Sequence, residues 1–97
     1  MINHIKKFSN SNLRIFCGTS YSIELFYILL SNAVDELSID EIFNSLTLPK
    51  PKKSSVDSFI KVLIAKDYVK NEQNKDKRKK TLVLTEKSLI EYRNLNL

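Results

Sequence analysis

The sequence predicts an α+β fold, mostly helical, in which one two-stranded hairpin is flanked by N- and C-terminal helices. Apolar residues recur at helical spacing in four successive stretches, about 20–34, 39–46, 55–67 and 86–95. Serine or threonine stands at or before the start of each, where its oxygen can accept from the free amides of a first turn. Between residues 68 and 84, two β-prone segments enclose a polar, lysine-rich run. At 97 residues the chain accommodates one domain, 1–97, with a modest core.

Residues 2–16 read as a short helical arm, a turn at Ser9-Asn10-Ser11-Asn12, and an approach segment. Gly18-Thr19-Ser20 offers a break and a cap for the helix over 20–34. That helix places Tyr21, Leu25, Ile28, Leu29 and Ala33 on one side. Ile23, Phe26, Leu30 and Val34 carry the apolar surface further round. Two covers are open to it: a second copy of the chain, or the chain's own N-terminal arm. The first makes residues 1–34 a dimerisation arm and helix, with Ile5, Phe8, Phe16, Tyr21, Ile23, Phe26 and Leu30 at the homodimer contact.

Ser38-Ile39-Asp40-Glu41 is a capping-box pattern, and Ile39, Ile42, Phe43 and Leu46 follow at helical spacing. Pro49 and Pro51 end that run. A second capping signal, Ser54-Ser55-Val56-Asp57, starts the next helix with Ser54 as the expected cap and Asp57 near the positive helix end. Val56, Phe59, Ile60, Leu63 and Ile64 form its apolar stripe, leaving Ser55, Ser58, Lys61 and Val62 outward. Tyr68-Val69-Lys70 and Thr81-Leu82-Val83-Leu84 then pair around a charged tip, and Thr85 caps the last helix. Tyr68 is expected to pack where helix turns into hairpin. Helix, turn, helix and hairpin in this order, over 37–95, make a winged helix-turn-helix.

The net charge is +5, and its distribution is uneven. Residues 1–50 hold four Lys/Arg against five Asp/Glu, and residues 51–97 hold twelve against six. A solvated lysine-rich surface is one explanation. A polyanionic partner, nucleic acid or an anionic membrane surface, is the other. Within that half, Lys75, Asp76, Lys77, Arg78, Lys79 and Lys80 put five cations in six positions, suited to displacing counterions from phosphates. A helix-turn-helix sets the N-terminal residues of its second helix at base edges in the major groove. Lys52, Lys53, Ser54, Ser55, Ser58 and Lys61 are the candidate contacts there, on a helix of about 53–66. Asp57 repels phosphate; it either accepts from a cytosine amino group or stabilises the helix start.

Other functions find little footing. Aromatic residues do not interleave with the basic run, as a base-stacking RNA surface requires. His4 and Cys17 are too few for a zinc site, and neither a glycine-rich phosphate loop nor a paired nucleophile and base is visible, so no cofactor, metal or catalytic residue is expected and the chain does not read as an enzyme. The single cysteine excludes an internal disulfide, and no signal peptide or membrane span is read, which makes the cytoplasm the expected location.

From about Leu37 to Leu95 the chain resembles the MarR-type winged-helix regulators, and their SarA-type branch in particular. The carriers are Ser38-Ile39-Asp40-Glu41-Ile42, Lys53-Ser54-Ser55-Val56, Leu63-Ile64-Ala65-Lys66-Asp67-Tyr68-Val69, Asp76-Lys77-Arg78 and Leu82-Val83-Leu84-Thr85-Glu86-Lys87. The resemblance implies that Arg78 enters the minor groove of double-stranded DNA with Asp76 holding it, and that a dimer reads a pseudo-palindrome. Where the family often carries glycine before the wing, this chain has Asp67, and Leu48-Pro49-Lys50-Pro51-Lys52 lengthens the turn between the paired helices. Two other functions fit the same fold: a protein-interaction module using Phe16, Tyr21 or Ile23 on a protein partner, and low-specificity architectural DNA binding.

Overall fold

Three side chains of the N-terminal arm, Phe8, Leu13 and Phe16, lose all contact with solvent by folding back onto the chain's longest helix. The computed structural model describes residues 2–47, 51–73 and 80–96, and of residues 2–5, 73 and 80 it describes the backbone alone. The elements are α1 (Ile2–Ser9), a 3₁₀ turn (Arg14–Cys17), α2 (Ser22–Asp35), α3 (Ile39–Ser45), α4 (Lys53–Ala65), β1 (Val69–Gln73), β2 (Lys80–Leu84) and α5 (Glu86–Asn94). The fold is α+β and mostly helical, with a two-stranded antiparallel hairpin.

The arm answers the question of what covers α2. Phe26 of α2 meets Phe8 at 5.1 Å and Phe16 at 4.9 Å, both edge-on, the arrangement that places a ring's positive edge against its neighbour's negative face. Phe8, Phe16, Tyr21 and Phe26 therefore belong to this chain's own core, and the expectation that they meet a second copy is corrected. Of the other residues expected there, Ile23 and Leu30 are half-buried, while the side chain of Ile5 lies outside the described residues. The buried stripe of α2 is Ser22, Leu25, Phe26, Leu29 and Asn32, so Ala33 and Val34 point outward.

The expected cap at Thr19 or Ser20 is replaced by a buried hydroxyl. Tyr21 precedes α2 without a capping bond, and the Ser22 hydroxyl, fully buried, lies against the Phe16 and Thr19 carbonyls and accepts from the Thr19 amide. A hydroxyl taken from water needs such partners, and here they fasten the 3₁₀ turn to the helix. At the far end, the Asn32 amide donates to the Leu82 carbonyl at 2.7 Å and to the Leu37 carbonyl, while its oxygen accepts from the Leu37 amide at 2.7 Å. One fully buried side chain thus joins α2, the entry to α3, and β2.

The capping box at α3 forms in full, Ser38 and Glu41 each satisfying the other's backbone amide. At α4 the expected cap does not form: the helix begins at Lys53, after Lys52 in extended conformation, so Ser54 stands inside the first turn. Asp57 consequently falls in the second turn, beyond the strongest part of the helix dipole, which corrects its expected role at the helix start.

The hairpin pairs Val69 with Leu84 through Gln73 with Lys80, so the strands extend further into the polar run than its composition suggests. The corner between α4 and β1 is closed by a paired turn motif: Tyr68 N–H reaches the Leu63 carbonyl and Asp67 N–H reaches the Ile64 carbonyl. Asp67 takes φ +65°, a left-handed conformation that glycine adopts most easily and aspartate tolerates. Thr85 caps α5 and also donates to the Asp67 carbonyl at 2.7 Å, and Ser88 donates to the Tyr68 carbonyl at 2.7 Å. The Thr85–Ser88 turn is therefore what locks α5 against the start of the hairpin.

Candidate nucleic-acid interface

Helix α4 is seated by Val56, Ile60 and Leu63, which are buried, with Phe59 half-buried beside them. Because 3.6 residues make a turn, the opposite side carries Ser54, Ser58, Lys61, Val62 and Ala65 in one exposed line, with Lys52, Lys53 and Ser55 at its N-terminal end. All six candidates on this helix, Lys52, Lys53, Ser54, Ser55, Ser58 and Lys61, are thus brought together and solvent-accessible. Ile64, expected in the apolar stripe, is 39% exposed because it falls at the edge of the seated face.

Three contacts fix where this face lies. The Tyr21 hydroxyl donates to the Ser55 carbonyl at 3.3 Å, tying the start of α2 to the first turn of α4, and burial raises the Tyr21 pKa above its usual value. Glu24 of α2 accepts from both the backbone amide and the hydroxyl of Thr47, at 2.8 and 2.6 Å. Asp40 of α3 accepts from the Lys53 ammonium at the start of α4. That bond, with the charge of Asp40, raises the Lys53 pKa, so the ammonium stays fully charged at neutral pH. Two carboxylates from different helices therefore hold the segment before and after residues 48–50.

Sequence reasoning missed these three partners. Tyr21 and Ser55, Glu24 and Thr47, and Asp40 and Lys53 are separated by 34, 23 and 13 positions, beyond any helical or strand period. Tyr68 packs edge-on against Phe16 at 5.9 Å as its position suggests, donates to the Asn12 carbonyl, and lies under the Lys87 ammonium. The tip candidates Lys75, Asp76, Lys77, Arg78 and Lys79 lie outside the described residues, as does the Lys80 side chain.

A concave surface runs between α2, the hairpin and α5. Its floor includes Leu30, Ala33 and Leu89, and its rim carries Lys70, Arg93, Glu72 and Glu86, two charges of each sign. Val34, 86% exposed, continues the apolar face of α2 at helical spacing from Leu30, and Ile90, 46% exposed, follows Leu89 on α5. Among the described residues no group of three or more His, Cys, Asp or Glu is placed to hold a metal, and no helix is long and apolar enough to cross a membrane. Compared with known proteins, the chain matches no family profile, no curated protein and no solved structure.

Proposed function

We propose that this chain is a winged helix-turn-helix regulator of transcription that binds double-stranded DNA in a sequence-specific manner. The observation that carries the reading is the exposed line of α4, where lysines and serines stand together on a helix seated by three buried apolar residues. Lysines there suit phosphates and guanine acceptors, and serine hydroxyls suit backbone or base edges. The order α3, α4 and hairpin supports docking of α4 in the major groove with the 71–80 wing over the minor groove. The resemblance to MarR-type and SarA-type regulators adds the roles of Arg78 and Asp76 at that tip.

A homodimer belongs to the same reading. The groove between α2, the hairpin and α5 has an apolar floor and a rim of balanced charge, which suits a self-complementary two-fold contact better than a polyanion. Two α4 helices about 34 Å apart would meet successive major grooves on one face of the duplex.

Titration against random duplex pools at near-physiological salt, with sequencing of the bound fraction, tests this function. Enrichment of a palindrome is expected. Uniform binding across sequences would indicate architectural DNA binding instead, and absence of binding would indicate a protein-interaction module.

A further inference from the structure

Lys53 stands at the N-terminal end of the exposed line of α4, where a phosphate contact is most accessible, yet its ammonium is engaged by Asp40. The partner is not held by burial: the Lys53 and Asp40 side chains are 52% and 72% exposed. Asp40 is not needed to close the start of α3, which Ser38 and Glu41 already do, and an ion pair this exposed adds little to stability. Bonded to Lys53 and openly exposed, Asp40 lies beside the α4 surface that a docked duplex would meet. The other lysines of the line, Lys52 and Lys61, have no such partner among the described hydrogen bonds and ion pairs.

We propose that Asp40 attenuates the duplex affinity of the α4 surface, restraining Lys53 so that sequence-independent phosphate attraction is lowered. This rests on the DNA-binding reading above. While the pair is intact, the two side chains carry no net charge and release no counterion on docking. A phosphate that engages Lys53 must displace Asp40 and then tolerates a carboxylate nearby. Contacts to base edges from the serines are unaffected by that exchange, so the restraint weakens binding to all duplexes alike.

The test compares the full chain, Asp40→Asn, Lys53→Ala and the double variant for binding to a random-sequence duplex and to the selected site across salt. Asp40→Asn keeps side-chain shape and first-turn polarity, and circular dichroism confirms folding. Freeing one lysine steepens the slope of log affinity against log salt by about 0.9, so the gain of Asp40→Asn over the unmodified chain grows about 3.5-fold from 200 to 50 mM salt. Binding to the random duplex and to the selected site is expected to tighten alike, by roughly threefold to tenfold at the lower salt, with their ratio unchanged, and the gain is expected to vanish when Lys53 is also Ala. An unchanged slope in Asp40→Asn, or a gain that survives Lys53→Ala, overturns the proposal while the unmodified chain still binds its site. Failure of all four proteins to bind any duplex instead overturns the DNA-binding reading, and the proposal with it.

Discussion

The exposed line of α4 and the groove between α2, the hairpin and α5 are both open surfaces on one small core, but they leave different chemistry exposed. The first presents Lys52, Lys53 and Lys61 among serines, with Asp57 drawn half out of solvent. The second presents apolar side chains inside a rim of two cations and two anions. Charge of one sign favours a partner that is itself uniformly charged, whereas balanced charge around an apolar floor favours a protein surface. Separate surfaces imply that substitutions can impair one and spare the other, and that substitutions in the shared core must impair both.

The largest effect is expected from the core. Phe26→Ala removes a ring that touches Phe8, Phe16 and Tyr92, and should destabilise the fold by about 3–5 kcal/mol in urea unfolding. Asn32→Ala leaves the Leu82 carbonyl and the Leu37 amide without their side-chain partner, for an expected loss of about 2–4 kcal/mol by the same measurement. A loss under half a kilocalorie in either would mean that the two surfaces do not share this support.

Two substitutions address the surfaces one at a time. Val34→Asp puts a charge on an 86% exposed position that follows Leu30 at helical spacing, and should weaken self-association by about 1–2 kcal/mol in sedimentation equilibrium, with thermal stability little changed. Lys52→Ala with Lys61→Ala should lower duplex affinity about tenfold at 100 mM salt and flatten the salt slope by about 1.8, without altering self-association. If either pair of properties moves together, the distinction between the surfaces fails. The smallest effect lies at the α4–β1 corner, which belongs to neither. Asp67→Gly relieves a left-handed backbone and should raise stability by a few tenths to about 1 kcal/mol in a thermal melt, leaving duplex binding as it was.

The legible parts of the molecule are those governed by near neighbours. Helical spacing placed α3, α4 and α5, and Ser38 with Glu41 and Thr85 with Ser88 form the capping bonds that their spacing suggests. Where several neighbouring residues can cap, spacing does not choose among them: Thr19 and Ser20 do not cap α2, and Ser54 does not cap α4, because a buried Ser22 and an extended Lys52 govern those starts. The six α4 candidates were legible because one helix period collects them on one face, and a lysine or serine at an outward position needs no distant partner.

The sequence by itself determined the order of the elements, the outward line of lysines and serines on α4, and the concentration of positive charge in the second half. These depend on side-chain period, capping chemistry and composition, all of which act over a few residues. Only the tertiary structure decided that the N-terminal arm covers α2, that Asn32 joins α2 to β2, and that Asp40 holds Lys53. Each of those depends on which distant residues are brought within contact, and burial of apolar area, being non-directional, favours any cover that excludes water, whether from the same chain or another.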